Sequence, residues 1–197
     1  MKRIITALLA LLLLGTHACY AETVAFDHEI LSNLDGYKYD KFEKSWSYYG
    51  AYLKEYSDAT IVIGVDARGN KTSVEEISIY AWIRDEYNKE TYSEVKEVMI
   101  LADDHLITCP MIVLETQSGN MITPQSNEVL RLIAESEELA FKITFKTGSI
   151  TLEPSAEDVA EFQTAAKNIY TYNLVSACKF DSETLELIER LYPITIE

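Results

Sequence analysis

His105 and Cys109 stand four residues apart in HLITC, and an imidazole near a thiol is the pairing that a cysteine nucleophile needs. The surrounding residues read otherwise. Leu106 to Pro110 has the composition of a buried strand end, and no third group follows to orient the imidazole. Cys109 therefore does not read as a nucleophile, and no catalytic residue is assigned. Asp103 and Asp104 precede His105, but two adjacent turn carboxylates lack the spaced ligands of a calcium loop or a zinc site, so neither a metal nor a cofactor is expected. The acidic pairs Glu75-Glu76 and Glu137-Glu138 are the carboxylates that a small hydrolase could use, and each falls at an element end, where solvated acids are ordinary. Asn70-Lys71-Thr72 matches the N-glycosylation acceptor pattern.

Aromatic residues offer a different chemistry. KSWSYYGAYLKEY, residues 44–56, carries one Trp and four Tyr, and flat rings with polar tips suit a sugar, a peptide or a protein surface. As a helix the stretch aligns Phe42, Trp46, Tyr49, Leu53 and Tyr56; as a strand it puts Trp46, Tyr48, Tyr52 and Tyr56 on one face with Gly50 between them. Gly50 disfavours a helix interior and aromatic residues favour strands, so a strand is expected, turning through Ser57-Asp58. If its even-numbered face lies beside Tyr80 and Trp82 of the next strand pair, then Trp46, Tyr48, Tyr52, Tyr80 and Trp82 form an aromatic platform. The competing reading is a core, since amphipathic helices elsewhere in the chain must bury their apolar stripes against some sheet face.

The N-terminus places these residues outside the cytoplasm. Lys2 and Arg3 precede the apolar run Ile4 to Leu14, and small and polar residues lead to Cys19-Tyr20-Ala21, the order of a secretory signal peptide over 1–21. Thr16-His17-Ala18-Cys19 offers the alternative of a lipid anchor at Cys19, although Thr16 replaces the usual large aliphatic residue. No later run approaches the roughly 20 apolar residues of a spanning helix, so no transmembrane segment is expected. All 32 acidic residues lie beyond Ala21 and two of the 17 basic ones lie before it, which moves the formal charge from −15 to −17. Such a surface repels phosphate backbones, and nucleic acid is excluded as a partner. In an oxidising compartment the remaining pair, Cys109 and Cys178, is a disulfide candidate, and closing so long a loop adds on the order of 4 kcal/mol. Two buried thiols are the alternative.

The elements read as α+β: mainly an antiparallel sheet or sandwich with two or three amphipathic helices, mostly C-terminal. Residues 22–197 form one exported domain, irregular over 22–39. Strands are expected at Ala59 to Asp66, followed by a turn over Ala67 to Asn70, then at Ile77 to Arg84, Val95 to Ala102, Leu106 to Cys109 and Met111 to Thr116. Ser118-Gly119-Asn120 reads as a closing turn. A helix capped by Ser126 runs to Ser136, strands Leu139 to Lys146 and Ser149 to Glu153 follow, and helices begin at Ser155 and Ser182. The function expected is a non-enzymatic binding or interaction protein with an unidentified protein, peptide or carbohydrate partner. The alternatives are a small carboxylate hydrolase and an assembly subunit of an envelope complex.

Overall fold

The computed structural model of the protein describes residues 26–55, 59–85, 95–113, 118–146, 148–179 and 182–197. The chain is α+β and every ladder in its two sheets is antiparallel. Sheet one has the order β1-β2-β3-β4-β8-β7, from β1 (Tyr37–Asp40), β2 (Ser45–Glu55), β3 (Ala59–Asn70), β4 (Ser73–Asp85), β7 (Ile112–Val113) and β8 (Ser118–Met121). Sheet two has the order β10-β9-β5-β6-β11, from β5 (Val95–Ala102), β6 (His105–Pro110), β9 (Leu139–Phe145), β10 (Gly148–Leu152) and β11 (Thr195–Ile196). The helices are α1 (Asn127–Glu135), α2 (Ala156–Thr171), α3 (Leu174–Ala177) and α4 (Ser182–Leu191).

Period-two alternation accounts for the strands. Ile61, Ile63, Val65 and Ala67 on β3 meet Ile83, Ala81, Ile79 and Ile77 on β4, and of these eight only Ile83 keeps some exposure. In sheet two Val98, Ile100, Ile107, Cys109, Phe141 and Ile143 share the core face and are fully buried. One apolar cluster joins both sheets to α1 and α2. Helix α2 lies between the two sheets: Phe162 meets Phe141 of β9 edge-on at 5.3 Å, while Ala165 approaches Gly50 of β2. A Cβ on Gly50 would overlap both the Glu161 carbonyl oxygen and the Ala165 methyl, so the glycine that weakens a strand locally is what lets the helix seat on it. Gln163 ties α2 to the end of α1 by donating to the Ser136 carbonyl at 3.0 Å.

Several local expectations are corrected. Residues 67–70 continue β3 instead of turning; a bulge falls between Arg68 and Gly69, and Asn70 Oδ1 accepts from the Thr72 amide to close the hairpin two residues later. Ser118 to Asn120 is a strand. Ser118 donates to the Ala81 carbonyl and Asn120 donates its side-chain N–H to that of Tyr192, while the buried Asn120 Oδ1 has no hydrogen-bond partner among the described residues; the segment enters a sheet despite a turn-like composition. Ser126 makes no side-chain cap; its hydroxyl bonds to that of Thr123 within the 3₁₀ turn Pro124–Ser126. The stretch 22–39, read as irregular, supplies a 3₁₀ turn at His28–Leu31 and, from Tyr37, an edge strand. The turn at Ser57-Asp58 and the end of the strand expected to reach Thr116 lie outside the described residues.

Candidate functional site

Register decides the fate of the aromatic residues. Tyr48 pairs with Ala67, and Ala67 with Ile77, so Tyr48 and Trp46 share the face that carries α2. Tyr80 pairs with Gly64 and Trp82 with Val62, an odd number of residues along β3 from Ala67, so both lie on the opposite face. The sheet therefore separates Trp46 and Tyr48 from Tyr80 and Trp82, and the four do not form one platform. The backbone of Tyr52 pairs with Ile63; its side chain lies outside those described.

Trp46 and Tyr48 are core residues, 2% and 1% exposed. Trp46 donates its indole N–H to the Asn70 carbonyl at 2.7 Å and packs against Phe26 with 5.5 Å between ring centroids. Tyr48 accepts a hydrogen bond from Asn168 of α2, and burial holds its phenol above the usual range. On the opposite face the Tyr80 ring lies over Gly64, and burial raises its phenol, with the Asp66 charge adding to the shift. Asp66 itself accepts from the Ser78 hydroxyl, and desolvation raises its carboxyl despite that bond. Trp82 is half-buried on this face.

Cys109 and Cys178 are unpaired, which corrects the disulfide expectation. Cys109 faces the core from β6, opposite Val98 in sheet two, whereas Cys178 follows α3 and bridges to Val74 of β4 in sheet one. The two are held by different sheets. Burial pushes the Cys109 thiol up to about 12, and burial with the charges of Glu76 and Glu75 does the same for Cys178, so both are kept as thiols and neither is an activated nucleophile. His105 lies about 13 Å along β6 from Cys109 at strand spacing, and its ring bonds to the Asp104 carboxylate at 2.7 Å.

Residues of both acidic pairs take part in local contacts, Glu137 and Glu138 through their backbone amides. Asp103, in the left-handed region at φ 54, accepts the backbone amides of Glu137 and Glu138 and so fixes the entry to β9. Glu76 pairs with Arg68 and Glu75 accepts from Asn70 Nδ2, while Asn70 Oδ1 accepts from the Thr72 amide, so both polar atoms of the Asn70 side chain are engaged. Among the described residues no group of three or more His, Cys, Asp or Glu is placed to hold a metal ion, and no helix is long and apolar enough to cross a membrane.

A concavity of about 950 Å³ lies between two segments distant in sequence. One wall is the His28–Leu31 turn: Asp27 caps it through the Glu29 amide, Leu31 anchors it in the core, and His28 donates its backbone N–H to the Lys71 carbonyl. The other wall is the α2–α3 junction, where Asn173 takes φ 53 and redirects the chain so that Leu174 and Val175 are buried and the Lys179 amide reaches the Val74 carbonyl. Phe26, Ile30, Tyr172, Ala177 and Cys178 supply its apolar lining, and Asp27, Thr72, Asn173, Ser176 and Lys179 its polar groups. Ile30 and Tyr172 are 46% and 39% exposed. Sequence reasoning missed this cleft because its walls are about 140 residues apart and neither has a periodicity pointing to the other. A smaller hollow of about 340 Å³, on Lys38, Asp40, Ser45, Ser47, Arg68 and Glu75 among others, is mainly polar in its lining residues.

No protein-family model matches the chain, and no curated protein and no solved structure is significantly similar to it.

Proposed function

We propose that the chain is an exported, non-enzymatic binding protein whose partner is a peptide or protein segment, apolar where it anchors and basic around the anchor. The observation that carries the reading is the cleft between the His28–Leu31 turn and α3. It leaves Ile30 and Tyr172 uncovered beside Phe26, with donors and acceptors around them. A concavity of this size with an apolar lining and a few polar groups has the make-up of a ligand site. The acidic balance of the chain favours a basic partner by steering its approach. Export rests on the residue order over 1–21, with lipid attachment at Cys19 as its variant.

Panning a displayed peptide library on the purified protein tests the proposal. Enriched peptides are expected to share an aromatic or aliphatic anchor with flanking Lys or Arg, and to bind Ile30→Glu and Tyr172→Ser roughly tenfold or more weakly, about 1.4 kcal/mol per factor of ten. Trp82→Ala, on the far face of sheet one, should leave them unchanged. Enriched peptides that ignore both cleft variants would exclude this site.

A further inference from the structure

The geometry points to β10 as a self-association edge through which a second copy of this chain pairs antiparallel about Ile150, joining sheet two of each copy into one sheet. Strand β10 ends sheet two and pairs only with β9 in the described ladders, through Gly148↔Phe145, Ile150↔Ile143 and Leu152↔Phe141. Four of its five residues are exposed. The other edges are blunted: β1 carries Lys38 and Asp40, and β7 and β11 are two residues each. Gly-Ser-Ile-Thr-Leu has no charge and no proline, so it lacks the devices that keep an edge from pairing.

Ile150 identifies what the edge lacks. It lies on the core face, opposite the fully buried Ile143, yet is 37% exposed because the sheet stops there. Beside it, the side-chain position of Gly148 meets nothing within 4 Å. The two-residue connection from Phe145 to Gly148 puts residues 148, 150 and 152 in the pairs that exchange hydrogen bonds with β9, which leaves the N–H and C=O of Ser149 and Thr151 pointing outward.

Those outward groups select one register. With Ser149 opposite Thr151 of the second copy, and the reverse, both outward pairs are bonded and Ile150 meets its own copy at the two-fold axis in the close, non-hydrogen-bonded pair. Leu152 of the second copy then faces the open position of Gly148. Ser149 and Thr151 stand across from one another, a favourable cross-strand pair. The same register serves the outward backbone groups, Ile150 and the open Gly148 position together, which is why the occupant is a second copy and not an unrelated strand.

Sedimentation equilibrium of the purified protein over a wide concentration range should give a monomer–dimer equilibrium. Thr151→Pro removes an outward N–H while sparing the bonds to β9, and should weaken the dimer roughly tenfold or more with an unchanged circular dichroism spectrum. Ile150→Cys should form a disulfide-linked dimer on mild oxidation, since Cα atoms of a non-hydrogen-bonded pair lie about 4.5 Å apart, while the wild-type protein stays unlinked. A wild-type monomer at every concentration, a dimer insensitive to Thr151→Pro, or an Ile150→Cys variant that does not cross-link would each overturn the assignment. The last readout holds even if the proline variant misfolds.

Discussion

Asn168 of α2 donates its side-chain amide to the Tyr48 hydroxyl on β2 across 2.7 Å, joining residues 120 positions apart. This bond is where a ring from the aromatic-rich stretch becomes part of the core. The phenol lies under the helix with its one polar atom satisfied, so it presents no free tip to a ligand.

Truncation separates core rings from the ring on the other face. Trp46→Ala is expected to lose about 3 to 5 kcal/mol of unfolding free energy, because it empties a site 2% exposed and leaves the Asn70 carbonyl without its donor. Tyr48→Phe should cost about 1 kcal/mol through the lost bond to Asn168. Trp82→Ala should cost less than Trp46→Ala, since Trp82 is only half-buried. Urea denaturation of the three variants checks the order, and equal losses for Trp46 and Trp82 would contradict the burial difference.

Adding one methyl at Gly50 tests the seating of α2. Gly50→Ala must move helix backbone, the Glu161 carbonyl, as well as the Ala165 methyl, and is expected to destabilise by about 1 to 3 kcal/mol. At Gly64 the obstacle is the far end of the Tyr80 side chain, which can swing away, so Gly64→Ala should cost less. Thermal unfolding of the pair gives the comparison.

Both thiols should react under denaturing conditions without reductant, and Cys109 should be protected in the native protein longer than Cys178, being fully buried. Burial lifts both folded pKa values from 9.0 to about 12, so the folded state holds protons that the unfolded chain releases. Their contribution is complete below pH 9 and is lost as pH rises from about 9 to 12. Stability of a Cys109→Ala variant, measured across that window, should fall less steeply than wild type.

Asp66 acts in the other pH range. Desolvation raises its folded carboxyl above the ordinary 3.8, so its favourable contribution is present in acid and is lost as pH climbs through the raised value. Asp66→Asn keeps an acceptor for the Ser78 hydroxyl and removes the charge. It should be more stable than wild type at neutral pH, with the advantage shrinking towards pH 4. A variant less stable at neutral pH would mean that attraction to Arg68 outweighs desolvation.

Local pattern made much of this fold legible. The alternation of Ile61, Ile63 and Val65 and of Ile77, Ile79 and Ala81, the turn at Asp103-Asp104, and the helical spacing of Val159, Phe162, Ala166 and Ile169 all depend on residues within a few positions of one another, and all appear as read. Gly50, taken as a sign against a helix, marks a strand whose glycine admits another helix. Where distant carbonyls accept from side-chain donors, as Ala81 does from Ser118 and Tyr192 from Asn120, composition pointed to a turn and the sheet prevailed.

What only the tertiary structure decided is every relation between distant segments. Alternation says which residues share a face but not which neighbouring strand brings its own face alongside, so the parity that parts Tyr48 from Tyr80 is set by the register with Ala67 and Gly64 on β3. An even count of cysteines carries no geometry, and β6 and the end of α3 hold theirs against different sheets. The cleft between Phe26, Ile30 and Tyr172 exists because two segments far apart in sequence meet, and hydrophobic burial is non-directional: it requires those segments to be covered without specifying by what.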